Sequence, residues 1–187
     1  VLLVLIIHFF LTYGSLLFLL TKVRLVYFYS KMKNAILFAF STASSAATIP
    51  ITLKTVEEEL KVEKSVASFS VPLGATINMD GTAIMQGVAT IFIANAYGIN
   101  LEISDFISVI MVATLASIGT AGVPGVGLIM LAMVLNQVGL PSEGIALIIG
   151  IDRLLDMTRT AVNVTGDAAI SCVVASSEKK INYNYKE

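Results

Sequence analysis

The stretch RLLDMTRTAVNVTGD, Arg153 to Asp167, places charged side chains in the middle of a strongly apolar segment. The flanking runs GIALIIGI and AAISCVV carry no charge. Together with the preceding residue, five polar side chains recur at intervals of four, three, four and four residues. At about 100° per residue, this spacing places them on one stripe of a helix. The five are Asp152, Asp156, Arg159, Asn163 and Asp167.

The composition of the whole chain indicates a membrane protein. Of its 187 residues, 56% are hydrophobic and 13% are charged, whereas an ordinary soluble domain carries about twice that charge. The net charge of −1 gives no indication of nucleic-acid binding. The single cysteine, Cys172, excludes an internal disulfide framework and a cysteine-rich metal site. The single histidine, His8, is expected to be an ordinary helix residue facing protein or the membrane interface.

The first apolar run, residues 1–20, has the length of a membrane-spanning helix, for which about 20 residues suffice. It lacks the charged start and the short apolar core of a signal peptide. We therefore expect the sequence to start part-way along a membrane-spanning helix.

Basic residues predict which polar regions face the cytoplasm. Outside the last apolar segment they fall in residues 22–33, in the stretch TLKTVEEELKVEKS and in the tail 179–187. The positive-inside rule places all three regions, including the C-terminus, in the cytoplasm. The connectors AYGINLEISDF and GLPSEG carry acids but no basic residue, which favours the opposite side.

Two apolar segments therefore have both flanks on the same side of the membrane. The first, residues 35–53, is interrupted by STASS and Pro50, and the second, residues 107–138, contains SIGTAGVPGVG. Gly, Ser and Pro interrupt helices, and non-helical backbone at membrane depth survives only inside protein or beside a watery cavity. We predict two re-entrant hairpins of opposite orientation; two kinked spanning helices are the alternative.

The predicted fold is an all-α membrane protein with spanning helices and two oppositely oriented re-entrant helical hairpins. Between the hairpins, VPLGATINMDGTA weakens a spanning helix around Asn78 and Asp80. A hairpin followed by a spanning helix occurs twice, in opposite orientations. Such inverted repeats are typical of secondary transporters, whose binding sites lie near the membrane midplane. The predicted order is a spanning helix with a basic connector (1–34), a transport core (35–178) and a cytoplasmic tail (179–187). The transport core is predicted to contain four parts: hairpin 35–56, broken span 65–97, hairpin 105–138 and polar span 143–176.

The polar stripe predicts a binding site, because charges inside a membrane normally face an ion or substrate path. The planar guanidinium of Arg159 suits a carboxylate and Asp156 suits an ammonium group, so the pair favours an acidic amino acid. Carboxylate and carbonyl oxygens suit hard cations such as sodium. The alternatives are an ion pair that only neutralises itself, an ion channel and an intramembrane aspartyl protease. No second protease motif is present, and no enzymatic activity is predicted.

Four motifs resemble one family of transporters: STASSAATIP, PLGATINMDGTA, ASIGTAGVPGVG and DRLLDMTRTAVNVTGD. From about Val1 to Lys180 the chain is similar to the sodium-coupled glutamate/aspartate transporters, the dicarboxylate/amino acid:cation symporters that include the excitatory amino-acid transporters. The resemblance implies sodium-driven symport of aspartate or glutamate across the plasma membrane. It also implies a homotrimer, assembled through parts outside this chain, in which each transport domain moves like an elevator and the hairpins act as gates.

The resemblance implies roles for individual residues. Substrate contacts are implied for Ser45, Thr82, Val123, Gly127, Asp156, Arg159, Thr160 and Asn163. One sodium ion is implied among Gly74, Asn78, Asn163 and Asp167, a second at Thr76, Ser117, Ile118 and Thr120, and a third at Asn78 and Asp80, with Met79 between the sites.

Some positions depart from the family pattern. Members usually carry an arginine at one of two positions that are Ala43 and Met157 here, a difference that bears on substrate affinity and gating. Gln86 stands where the potassium-coupled animal members have a glutamate, which argues against potassium counter-transport. Arg153 lies near the edge of the stripe and has no assigned role. The alternative substrates are a neutral amino acid and a C4-dicarboxylate.

Overall fold

The apolar run at the start of the chain forms one long helix with a π-helical turn in its middle. In the computed structural model, which describes residues 1–183, this helix consists of α1 (Leu2–Ile7), the π turn (His8–Thr12) and α2 (Tyr13–Leu20). Leu2–Leu20 is the one helix of the described residues that is both long and apolar enough to cross a membrane.

The regular secondary structure of residues 1–183 is entirely helical, which confirms the all-α class predicted from the sequence. One isolated antiparallel bridge, between Val62 and Ile181, joins two connecting segments in this part of the chain. The bridge ties the start of the predicted tail to the region between the first hairpin and the broken span. The end of that tail, including Lys186, lies outside the described residues.

The first helix pair consists of α3 (Leu25–Thr42) and α4 (Ser45–Lys54), and the chain turns at the two residues between them. Ala43 has a left-handed backbone conformation with φ of 51°, which ends the right-handed helix. Ser44 then caps α4, because its hydroxyl oxygen accepts a hydrogen bond from Ala47 N at 3.1 Å. The turn therefore falls inside the STASS interruption.

Two details of this pair differ from the sequence prediction. The helix α3 begins well before the predicted hairpin start at residue 35, so it includes Lys31 and Lys33, which were expected in a connector. Long lysine side chains carry their charge away from the helix surface, so basic residues do not end a helix. Lys31 donates to Glu59 at 2.7 Å, which lowers the pKa of the Glu59 carboxyl. Pro50 lies inside α4, although a proline in a helix interior removes one backbone hydrogen bond and its ring crowds the carbonyl four residues earlier.

The predicted broken span forms α5 (Lys64–Ile77) and α6 (Asp80–Ala96), separated by Asn78 and Met79. Neither of these two residues has helical backbone angles. A helix end leaves carbonyls without intrahelical partners, and a helix start leaves N–H groups without them. The break therefore places both kinds of backbone group in the interior of the molecule.

The second helix pair consists of α7 (Ile103–Ser117) and α8 (Val126–Gln137), joined by a non-helical tip at 118–125. Gly119 and Gly125 in this tip have positive φ angles of 80° and 83°. Glycine adopts such angles without steric cost, so the tip is able to change direction twice within a few residues.

The tips of the two helix pairs are bonded to each other. The Ser44 hydroxyl donates to Gly122 O at 2.7 Å, and Ala46 N donates to the same oxygen at 3.1 Å. Gly119 N donates to Thr76 O at 2.8 Å, which joins the second tip to the end of α5. These bonds bring the non-helical parts of both pairs next to the broken helix.

The last helix, α9 (Ala146–Ser177), follows a short 3₁₀ turn at Ser142–Ile145. It packs against α2, α3, α5 and α6. Every residue from 159 to 169 is buried, and a helix that is enclosed all round lies in the core of its domain. The polar stripe of α9 is therefore surrounded by the other helices.

Replacing Ser44 with alanine is expected to destabilise the fold, because the change removes the cap of α4 and the bond to Gly122 O. A lost N-cap costs about 1 kcal/mol, and a lost hydrogen bond costs a similar amount. The thermal unfolding midpoint of the purified protein should fall. Ser41→Ala is the matched control, since Ser41 is exposed and its hydroxyl donates locally to Phe38 O. Equal midpoints for the two variants would contradict the role of Ser44.

Candidate substrate and ion site

The tips of the two helix pairs and the break between α5 and α6 line a small cavity of about 20 Å³ against the polar stripe of α9. All eight residues with predicted substrate contacts line this cavity: Ser45, Thr82, Val123, Gly127, Asp156, Arg159, Thr160 and Asn163. Ala43, Met79 and Thr120 line it as well. Residues from both helix pairs, from α6 and from α9 therefore meet in one pocket.

Arg159 is the centre of the charge network in this pocket and is only 2% exposed. Its Nη2 lies 3.1 Å from Asp156 Oδ1, and its Nη1 lies 3.3 Å from Asp152 Oδ1. The first ion pair is the one that helical spacing allowed, and the second was not predicted. Asp152 precedes Arg159 by about two turns, a distance that the long arginine side chain spans. Arg153, by contrast, is exposed.

The second helix pair covers these charges with backbone. Gly125 N donates to Asp156 Oδ2 at 2.8 Å. At Gly127, near the start of α8, an added Cβ would lie 2.4 Å from Arg159 Nη2, so a side chain there would displace the guanidinium. Val123, at the tip, is 47% exposed and forms part of the cavity rim. The tip and the start of α8 therefore lie against Asp156 and Arg159.

Asn163 joins α9 to the start of α6. Its Oδ1 accepts a hydrogen bond from Gly81 N at 2.7 Å, and its Nδ2 donates to Thr82 Oγ1 at 3.3 Å. The same nitrogen lies 3.3 Å from Met79 Sδ. An added Cβ at Gly81 would lie 2.8 Å from Arg159 O. Because glycine has no Cβ, α6 and α9 are able to approach this closely. One amide side chain therefore fixes the broken helix beside the pocket.

Three residues of the first predicted sodium set lie together. Asp167 is 3% exposed, and Asn78 Nδ2 donates to its Oδ1 at 3.1 Å. An added Cβ at Gly74 would lie 2.5 Å from that same oxygen. Asn163, the fourth member, lies one turn earlier on α9. The cluster combines a buried carboxylate with the carbonyl end of α5, and helix C-termini favour cations.

The second predicted sodium set joins the ends of α5 and α7. Thr76 O accepts the Gly119 N–H that belongs to the tip of the second pair. Ser117 and Thr120 are buried, whereas Ile118 is half exposed. The Thr120 hydroxyl donates to Ala116 O. Two helix C-termini therefore face each other here, and both present carbonyl oxygens.

The third predicted set, Asn78 and Asp80, has partners that the sequence analysis did not find. His8 Nε2 lies 3.1 Å from Asp80 Oδ2, and the Tyr13 hydroxyl donates to the same oxygen at 3.2 Å. The expectation that His8 is an ordinary helix residue is therefore incomplete. No local sequence signal marked it, because the π turn that aims it is not visible in the hydrophobic pattern.

The positions that depart from the family pattern are all close to the pocket or beneath it. Ala43 lines the cavity from the tip of the first pair. Met157 is half-buried directly after Asp156. Gln86 is fully buried, and within residues 1–183 neither atom of its side-chain amide has a hydrogen-bond partner. The pocket therefore contains one arginine and no second one among its lining residues.

Comparison with known proteins gives consistent matches. The chain is 48% identical to "Excitatory amino acid transporter 3" of Mus musculus over 149 residues, covering 80% of this chain and 28% of that protein. It is 44% identical to "Excitatory amino acid transporter 5" of Mus musculus over 171 residues, covering 91% and 31%. For "Excitatory amino acid transporter 2" of Homo sapiens, identity is 45% over 151 residues, covering 81% and 26%.

The chain spans less than a third of the length of these curated relatives. The sequence profile described as "Sodium:dicarboxylate symporter family" matches residues 1–177, which is nearly the whole chain. That match confirms the resemblance carried by the four motifs: this chain belongs to the sodium:dicarboxylate symporter family.

Proposed function

We propose that this chain forms the substrate- and ion-binding part of a symporter that takes up aspartate or glutamate with the sodium gradient. The observation that carries the proposal is the buried pair of Arg159 and Asp156, 3.1 Å apart, at one wall of the cavity. A guanidinium and a carboxylate side by side are complementary to an amino acid that has a second carboxylate. The predicted site residues around them supply the remaining polar contacts.

In this proposal the substrate exchanges partners with groups already in the pocket. The side-chain carboxylate binds the guanidinium of Arg159, which has five N–H donors and is held by Asp152 from the other side. The ammonium group binds Asp156, whose Oδ2 accepts a bond from Gly125 N. Thr82, Thr160, Asn163, Ser45, Val123 and Gly127 complete the contacts to the substrate.

Sodium ions offset the charge of this complex. The carboxylates of Asp152 and Asp156 contact one guanidinium, and an acidic amino acid adds two carboxylates and one ammonium group. The proposed ion sites lie at the ends of α5 and α7 and at Asp80 and Asp167, where carbonyl and carboxylate oxygens converge. Ions and substrate that stabilise the same closed arrangement are coupled by thermodynamic linkage.

The architecture fits a transport domain that works in a membrane. We propose that the two helix pairs are re-entrant hairpins, that the C-terminus is cytoplasmic and that the whole protein is a plasma-membrane homotrimer with an elevator mechanism. The outer face of α7 supports this, because five of its apolar side chains are more than half exposed. An apolar face of this kind suits lipid or a scaffold; it contains Ile103, Ile107, Ile110, Met111 and Leu115.

A neutral amino acid or a C4-dicarboxylate is the alternative substrate. The observation that favours it is Ala43, which lines the cavity without adding a second cation. Arg159 would leave its charge unused with a neutral substrate, and Asp156 would repel a plain dicarboxylate. The acidic amino acid therefore remains the better fit.

Arg159→Thr is expected to lower uptake of aspartate and glutamate by roughly a hundredfold. The change removes the cation that binds the side-chain carboxylate of the substrate, and a hundredfold loss corresponds to about 2.8 kcal/mol. Sodium-driven uptake of labelled aspartate, glutamate and serine into proteoliposomes measures the effect, and serine uptake should fall least.

Arg153→Thr is the matched control, because it removes an exposed arginine from the same helix. It should leave uptake of all three amino acids close to that of the unmodified protein. Unchanged preference for acidic substrates in Arg159→Thr would contradict the proposed role of the guanidinium.

Asp167→Asn is expected to raise the sodium concentration for half-maximal substrate binding by roughly tenfold, equal to about 1.4 kcal/mol. The substitution keeps the shape of the side chain but removes a buried charge beside Asn78 and Gly74. Glu178→Gln, which removes an exposed charge at the end of the same helix, is the control. A sodium dependence identical to that of the control would exclude Asp167 as an ion ligand.

A further inference from the structure

Two side chains of the first helix, His8 and Tyr13, contact Asp80, and neither belongs to the proposed sodium sites. We infer that Tyr13 is a positioning residue for Asp80, and that the π turn makes the first helix part of the ion site formed with Asn78. The inference rests on the proposed sodium coupling and adds a residue to it.

The π turn explains how two side chains of this helix contact one carboxylate. In an ordinary α-helix, residues five apart are separated by about 140° around the axis. A π-helical turn closes hydrogen bonds over five residues and so holds one extra residue. His8 and Tyr13 therefore lie on the same side, with ring centroids 4.8 Å apart, and both contact Asp80 Oδ2.

The Tyr13 hydroxyl occupies a space that the opposite helix leaves open. The side chain is buried, and a Cβ at Gly166 would lie 2.4 Å from its hydroxyl oxygen. The same Cβ would lie 2.5 Å from Asn78 Nδ2. Glycine at this position thus allows a tyrosine hydroxyl and an asparagine amide to meet beside α9.

These contacts connect the two acidic residues of the ion-binding region. Asn78 donates to Asp167 at 3.1 Å, whereas Tyr13 donates to Asp80 at 3.2 Å. A carboxylate held through one oxygen presents its other oxygen in a fixed orientation. Ligands that are oriented by such outer hydrogen bonds bind a cation more tightly.

The first helix pair supports the π turn from behind. The Tyr29 hydroxyl of α3 donates to Phe9 O, within the turn, at 2.7 Å. The two rings also pack at a centroid distance of 5.1 Å. The position of Tyr13 is therefore fixed by α3 as well as by its own helix.

Tyr13→Phe tests the inference by removing one oxygen atom. Binding of aspartate and glutamate to the purified full-length Tyr13→Phe variant is measured as sodium is titrated. Half-saturation is expected at a sodium concentration roughly fivefold higher than for the unmodified protein. The dissociation constant of the amino acid at saturating sodium should not change. Tyr27→Phe is the matched control, since Tyr27 donates to a backbone carbonyl, Glu59 O, far from the site.

A double variant separates positioning from general destabilisation. Once Asp80→Asn has removed the carboxylate charge, Tyr13→Phe should add little further change to the sodium curve. An unchanged curve for Tyr13→Phe, or fully additive effects in the double variant, would overturn the inference. Should Tyr13→Phe fail to fold, Tyr29→Phe replaces it and must also raise the sodium concentration for half-saturation. A sodium curve of Tyr29→Phe equal to that of Tyr27→Phe would then overturn the inference. An unmodified protein whose binding ignores sodium would instead contradict the proposed function.

Discussion

The burial of Arg159 among carboxylates is the constraint on which the rest of the structure depends. An isolated buried charge costs several kcal/mol, and it becomes acceptable only when it is paired and hydrogen-bonded. Asp152 and Asp156 provide the pairing from the same helix. The second pair then covers the network with backbone, and a side chain at position 127 in α8 would displace the guanidinium. The enclosure of α9 from residue 159 to residue 169 is consistent with the need to keep these charges away from lipid.

Interrupted helices supply the polar surroundings that such a network needs. The turn at Ala43, the break at Asn78 and the tip at 118–125 each free backbone N–H or C=O groups from helical bonding. Those groups bind one another across the site, as Gly119 N does with Thr76 O. In the proposed function, the same groups are the ones that a substrate or an ion binds. Fold stability and the proposed ligand binding therefore depend on the same backbone atoms.

Much of this arrangement was predictable because local chemistry determines it. Spacing along α9 predicted the polar stripe, and clustered Gly and Pro predicted the weak helix at Asn78. The helix α3 begins at Leu25, before the predicted hairpin start at residue 35, because lysines extend from a helix surface without ending it. The contact between His8 and Asp80 joins residues far apart in sequence and needs a π turn. Periodicity at 3.6 residues per turn cannot reveal such a local change of pitch.

The single arginine of the pocket bears on how the proposed substrate site is coupled to the proposed ion sites. Ala43 and Met157 add no positive charge, so an acidic substrate increases a negative excess that Arg159 alone cannot offset. Asp167 lies eight residues further along α9, about 12 Å from Arg159 at 1.5 Å per residue. Charges at that separation in a buried, weakly screened region still interact appreciably. In the proposed function, a cation at Asp167 therefore stabilises a substrate carboxylate at Arg159 by electrostatic attraction, in addition to the linkage through the closed arrangement.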